Sequence, residues 1–135
     1  MNIPGFQFIL SLVFFTNGLV AQNISPSKDL ICGKKWYPEK WATNDHTFSI
    51  DKEEANDYML FNCDGTSTSI EVDMIIKGKW TLDEKTSTLV TTQNQTKDYP
   101  SKIIWKIIKV DETHLVIKSK ESDKIDQTLY LTRRL

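Results

Sequence analysis

The chain has 135 residues, with 17 basic side chains, 18 acidic side chains and a formal net charge of −1 at pH 7. This length predicts one domain. The charge is balanced and forms neither a basic stripe nor an acidic tail, which argues against nucleic acid as a partner.

Residues 1–21 have the pattern of a secretory signal peptide. An apolar run, residues 6–15, is followed by a polar break and then by Ala21, a small residue at the expected cleavage position. The run is shorter than the roughly 20 residues of a membrane-spanning helix. We therefore expect cleavage, a secreted or periplasmic protein, and a mature domain of residues 22–135 without a transmembrane segment. An uncleaved N-terminal membrane anchor is the alternative.

Cys32 and Cys63 are the two cysteines of the chain. In an exported protein such a pair indicates one disulfide. A bridge across a loop of this length stabilises the fold by roughly 3–4 kcal/mol in the chain-entropy model. The alternative is two reduced cysteines, buried as small hydrophobic side chains.

The mature part consists of short β-strand patterns separated by turn signals. The first strand contains Pro38, which indicates an edge position or a bulge. A polar connection, residues 42–56, follows it, and a helical turn is possible near its end. Asp64-Gly65 is the strongest hairpin signal, because glycine tolerates the positive φ of a tight turn. The predicted strands are residues 32–41, 57–62, 66–72, 75–82, 87–92, 102–110, 114–119 and 125–133.

Strand 75–82 shows the clearest alternation of apolar and polar side chains. Its apolar face carries Ile76, Gly78, Trp80 and Leu82. One apolar and one polar face is the pattern of an antiparallel sheet around a core. About eight antiparallel strands in succession are enough to close a small barrel, although alternation alone does not distinguish a barrel from a sandwich.

Five phrases, in the order "GKKW", "DYMLFNCDGT", "GKWTLDEKTSTLVTT", "IIWKIIKVDETHLVIKS" and "TLYLTRRL", resemble the small lipocalin-like domains secreted by Bacteroidetes. The resemblance covers residues 30–135. It implies an all-β fold, an antiparallel up-and-down lipocalin-like barrel of about eight strands.

The resemblance also implies that the first-strand tryptophan packs beneath an arginine of the last strand at the closed barrel end. Here these residues are Trp36 and Arg133, and a cation–π contact between them would contribute about 0.5–2 kcal/mol. "GKKW" has one residue more than the family's Gly-x-Trp, so a bulge is expected near residues 33–36.

An up-and-down topology places the start of strand one and the end of strand two at the same barrel end. Cys32 and Cys63 occupy these two places, which agrees with a disulfide between them. The connections at the opposite, open end are residues 42–56, 73–74, 93–100 and 120–124. The longest of these is expected to act as a lid.

Tryptophans and nearby aliphatic residues are the candidates for contact with a ligand. Trp41 ends the first strand beside the expected lid. The full set of candidate ligand-binding residues is Trp41, Val72, Ile76, Trp80, Ile103, Trp105 and Ile117. Trp80 and Trp105 are equally compatible with plain core, because a barrel of this size can be filled by its own side chains.

No catalytic pattern is present in the sequence. His46 and His114 fall at opposite barrel ends, and neither a phosphate-binding loop nor a nucleophile motif appears. We therefore expect no enzyme activity, no metal and no cofactor. The sequence favours an exported monomer that binds a small hydrophobic or amphipathic ligand. The alternative is a solid-cored barrel that acts as a structural or protein-interaction module.

Overall fold

The computed structural model describes residues 26–93, 102–120 and 126–134. The predicted signal peptide lies outside these residues, as do most of the connections 93–100 and 120–124. Within the described ranges, no helix has the length and apolar character needed to cross a membrane.

The described residues form nine β-strands, one short α-helix and one 3-10 helix. The α-helix α1 spans Lys28–Ile31, and the 3-10 helix spans Lys52–Glu54. The strands are β1 (Lys35–Ala42), β2 (Thr47–Ser49), β3 (Tyr58–Phe61), β4 (Thr66–Glu71), β5 (Met74–Asp83), β6 (Thr88–Gln93), β7 (Lys102–Val110), β8 (His114–Lys120) and β9 (Asp126–Thr132). All eight predicted strands are present.

The strands form one antiparallel sheet that closes on itself. Their order is β2-β1-β3-β4-β5-β6-β7-β8-β9, and β1 also pairs with β9. β1 and the strands from β3 to β9 therefore form a closed eight-stranded barrel, which confirms the predicted fold class. β2 is an additional strand on the edge of β1.

The start of the predicted first strand differs from the structure. Residues 32–34 are not in β1, because α1 ends at this point and Gly33 has a φ of +75°. A left-handed φ is incompatible with a strand but is adopted readily by glycine. Ser27 is the N-cap of α1, because its hydroxyl accepts a hydrogen bond from the Leu30 amide.

The connection 42–56 contains a strand that the sequence pattern did not predict. The three residues of β2 are exposed, and the strand pairs with the second half of β1, from Lys40 opposite Ser49 to Ala42 opposite Thr47. The helical turn expected in this connection is present as the 3-10 helix. A capping box starts it, because the Asp51 carboxylate accepts from the Glu54 amide and the Glu54 carboxylate accepts from the Asp51 amide.

A β-bulge at Glu39 decides which side of β1 faces the barrel interior. The pairing with β9 shifts between Pro38 opposite Leu131 and Lys40 opposite Tyr130. One extra residue exchanges the faces of all residues that follow it. The bulge thus confirms the interpretation of Pro38, but it lies beyond residues 33–36, where the family pattern placed it.

The chain repeats a Gly-Lys-Trp phrase, as Gly33-Lys34-Lys35-Trp36 and as Gly78-Lys79-Trp80, and both tryptophans are anchored at the closed end of the barrel. The Trp36 indole Nε1 donates to the Ile31 carbonyl at 3.0 Å, and the Trp80 Nε1 donates to the Asn62 carbonyl at 2.7 Å. Ile31 and Asn62 directly precede the two cysteines, and the predicted disulfide Cys32–Cys63 is present. The repeated phrase therefore fixes both segments that the disulfide joins.

The two arginines near the C-terminus do not make the expected cation–π contact with Trp36. The Arg133 guanidinium donates to the Glu112 carbonyl at 3.1 Å, while Arg134 lies over the Tyr37 ring at 3.6 Å from its centroid. No cation–π contact joins Arg133 to Trp36 among the described residues. Trp36 is fully buried and lies against α1, which covers this end of the barrel instead.

Candidate functional site

The barrel interior contains a cavity of about 530 Å³ on the side away from the disulfide. Typical sites for small molecules have volumes of about 300–1,000 Å³. Phe61, Trp105 and Leu131 form the base of the cavity and are themselves nearly buried. Met59, Ile76, Ile103 and Leu129 add apolar side walls. The lower part of the cavity therefore offers an apolar surface to a ligand.

The cavity exists because the inner face of β4 carries small side chains. Ser67 and Ser69 line the cavity, and they pair with Gly78 and Ile76 of β5. Gly78 cannot gain a side chain, since a Cβ would stand 2.1 Å from the Thr92 carbonyl oxygen of β6. The two serines thus leave space where larger side chains would fill a barrel of this size.

A polar band crosses the cavity wall above its apolar base. Thr91 Oγ1 accepts a hydrogen bond from Trp105 Nε1 at 3.2 Å, which fixes the orientation of the indole. Gln93 and Gln127 line the same region. The cavity wall therefore combines apolar side chains with polar and charged ones, an arrangement that can orient an amphipathic ligand.

The long connection between β1 and β3 forms one side of the cavity. β1 pairs with β3 at only two positions, Lys35 opposite Leu60 and Trp36 opposite Met59. Residues 50–57 cover the opening that remains between the two strands, and three of them line the cavity: Ile50, Glu54 and Asp57. That this segment opens and closes as a lid stays a prediction.

Residues 50–57 are attached to the outside of the barrel at their C-terminal end. The Arg134 guanidinium donates to the Ala55 carbonyl, and it reaches the Asn56 side-chain oxygen at 3.5 Å. The same arginine covers the Tyr37 ring, and Tyr37 contacts Tyr58 at a centroid distance of 5.8 Å. The C-terminal residues of the described chain therefore hold the covering segment in place.

Three carboxylates lie on one side of the cavity: Glu54, Asp57 and Glu71. The Asp57 amide donates to the Glu54 carbonyl at 3.0 Å, and the Asp57 carboxylate accepts from the Val72 amide at 2.8 Å. Burial raises the pKa of Glu71, and the negative charge of Asp57 raises it further. None of the ion pairs among the described residues includes these carboxylates.

Four of the seven predicted ligand-contact residues line the cavity: Trp41, Ile76, Ile103 and Trp105. Trp41 lines it because the bulge at Glu39 turns this side chain inward, opposite Leu129. Its indole also stacks on Phe48 of β2, with a centroid distance of 4.2 Å.

The other three predicted residues lie elsewhere. Val72 is in the turn between β4 and β5, with φ +47° and 51% exposure. Trp80 lies nearer the closed end and packs on Phe61, with a centroid distance of 5.3 Å. Ile117 is fully buried in β8 and does not border the cavity. The strand patterns therefore predicted that Trp80 and Ile117 are buried, but not where they lie along the barrel axis.

Several lining residues were not among the sequence predictions. Ser67, Ser69 and Glu71 alternate along β4 and would have been found by pairing this strand with the apolar face of β5. His46 and His114 lie in separate parts of the fold, near β2 and at the start of β8. The described ranges contain no group of three His, Cys, Asp or Glu residues that could hold a metal ion.

Comparison with known proteins supports the fold. No protein-family model matches the chain, and no curated protein matches it. Among solved structures, a lipocalin-like protein from Bacteroides uniformis is similar, with a TM-score of 0.55 and 14% sequence identity. The match covers 79% of this chain and 99% of that chain. The fold is therefore lipocalin-like, while membership of a secreted Bacteroidetes family stays a prediction.

Proposed function

We propose that this protein is an exported lipocalin-like domain that binds a small hydrophobic or amphipathic molecule without catalysis. The observation that carries the proposal is the cavity of about 530 Å³, with its apolar base and polar band. Burial of a ligand's apolar surface contributes roughly 25 cal/mol per Å² to the free energy of binding. The polar band would set the orientation of the ligand.

Export is supported by two features that do not depend on the cavity. Residues 1–21 have the pattern of a signal peptide, the kind of segment that directs a chain out of the cytoplasm. The disulfide Cys32–Cys63 is compatible with an oxidising compartment. A secreted or periplasmic domain would meet its ligand outside the cytoplasm.

The alternative of a solid-cored structural module has less support. A barrel filled by its own side chains leaves no space of this size, and here the small side chains of Ser67 and Ser69 line the cavity. A ligand-binding monomer thus accounts for the small inner residues better than a purely structural barrel does.

Titration with N-phenylnaphthylamine, a small neutral probe that fluoresces in apolar surroundings, tests the proposal. Wild-type protein should bind it saturably with one-to-one stoichiometry. Ser69→Phe should reduce the affinity by about tenfold or more, since its ring would occupy the cavity, and tenfold corresponds to about 1.4 kcal/mol.

Thr68→Phe is the matched control. Thr68 is adjacent on β4 but belongs to the opposite face, because successive residues of a strand alternate. This variant should bind the probe like the wild type. Equal affinity of all three proteins, with circular dichroism showing that each is folded, would place the probe outside the cavity and reject the proposal.

A further inference from the structure

The cavity wall carries an unbalanced charge. Of its residues, Glu54, Asp57 and Glu71 are acidic and Lys77 is basic. Lys77 is exposed and follows the buried Ile76 on β5, so strand alternation directs its side chain to the outer face. The charged groups that remain beside the cavity are the three carboxylates.

These carboxylates are held together by the fold rather than by a counter-ion. Backbone and side-chain hydrogen bonds link Glu54 to Asp57 and Asp57 to the residue after Glu71. The ion pairs among the described residues involve Asp111 and Asp126 instead. Glu54 and Asp57 are half-buried, and Glu71 is exposed at the end of β4. Carboxylates near one another repel, and a cation between them compensates for the repulsion.

An aromatic side chain lies on the same wall. Trp41 borders the cavity, and Phe48 stacks on the indole at 4.2 Å and so holds it in place. Aromatic faces attract ammonium groups, most strongly when the face belongs to tryptophan. The acidic group and the aromatic group both favour a positively charged ligand.

We infer that the ligand is an amphipathic cation, an organic amine or ammonium compound whose apolar part lies against Trp105 and Phe61. Its positive charge lies beside Glu54, Asp57 and Glu71. This inference rests on the proposed function, because it names the class of ligand for the same cavity.

Displacement of N-phenylnaphthylamine by three amphiphiles of equal chain length, decylammonium, decanol and decanoate, tests the inference. All are used below their aggregation concentrations. Decylammonium should displace the probe at about fivefold lower concentration than decanol, the ratio expected from a partly exposed ion pair. Decanoate should be the weakest competitor.

The double variant Glu54→Gln/Glu71→Gln should lose the preference for decylammonium and still bind the probe. Gln at position 54 keeps an oxygen for the capping box. Glu53→Gln/Glu112→Gln is the control, since it removes the same charge from exposed residues that do not line the cavity. It should keep the wild-type preference.

The preference for decylammonium over decanol should also weaken as the pH falls. Because its pKa is raised, Glu71 becomes neutral at a higher pH than an ordinary glutamate. The other titratable groups of the wall are Glu54, Asp57, Tyr58 and Lys77. In Glu71→Gln the decline should therefore begin at a lower pH than in the wild type.

The outcomes separate the inference from the proposed function. Equal displacement by decylammonium and decanol, or stronger displacement by decanoate, would overturn the cationic ligand while leaving a ligand-binding barrel. A preference that survives in Glu54→Gln/Glu71→Gln would also overturn it. Failure of the wild type to bind N-phenylnaphthylamine at all would reject the proposed function itself.

Discussion

Replacement of both Cys32 and Cys63 by alanine is expected to lower the free energy of unfolding by roughly 3–4 kcal/mol. The disulfide closes a loop with a sequence separation of 31 residues. In the unfolded chain the bridge removes conformational freedom, and that constraint is lost in the variant. Small domains have a total stability of about 5–15 kcal/mol, so the variant retains little reserve.

Denaturation by urea at neutral pH measures this loss. Wild-type protein reduced with dithiothreitol should unfold at nearly the same urea concentration as the double variant. The double variant itself should not respond to dithiothreitol. A difference below about 1 kcal/mol between oxidised wild type and variant would show that the two tryptophan anchors hold the closed end without the bridge.

The second large effect is expected for Trp36→Ala, which should cost about 3–5 kcal/mol of stability. Trp36 is fully buried, and its indole is the donor to the Ile31 carbonyl. Truncation leaves a cavity beneath α1 and removes the partner of a buried carbonyl group. Both losses act at the end of the barrel that the disulfide closes.

Trp41→Ala is the matched comparison for this variant. Trp41 is half-buried at the cavity wall, and its indole stacks on the exposed Phe48. Its truncation should cost about 1–2 kcal/mol, because less apolar surface leaves the interior. A larger destabilisation by Trp41→Ala than by Trp36→Ala would contradict the division of the barrel into a structural closed end and a ligand-binding cavity.

The strands of the barrel could be predicted from the sequence where apolar and polar side chains alternate clearly. β7 has the predicted bounds, since Ile103, Trp105 and Ile107 mark its inner face up to the irregularity between Ile107 and Lys109. β2 could not be predicted, because its three residues are all exposed and only their pairing with β1 defines the strand. α1 escaped prediction for a similar reason, as four residues are too few to show a helical period.

The cavity was harder to predict than the barrel around it. Trp41 lies in its wall only because the extra residue is Glu39, and Pro38 marks a bulge without showing which residue is inserted. On β4 the inward residues are serines, so no apolar face reveals the orientation of the strand. Its orientation follows from the register with β5, which is a tertiary property.

The pH dependence of stability should reflect the same cavity wall. A raised pKa of Glu71 means that the folded protein binds a proton more tightly than the unfolded chain does. Its ionisation therefore costs stability as the pH rises from the unfolded pKa through the folded pKa. The cost is fully present above the folded pKa and disappears below the unfolded pKa. A bound cation near the Glu71 carboxylate would reduce this cost.

Native mass spectrometry of protein purified without denaturation from the cells or medium that produce it tests the central claim most directly. The account predicts a discrete adduct with the mass of a small organic molecule, which is lost on organic extraction and replaced by N-phenylnaphthylamine when this probe is added. A bare protein mass both before and after addition of excess probe would contradict a ligand-binding barrel.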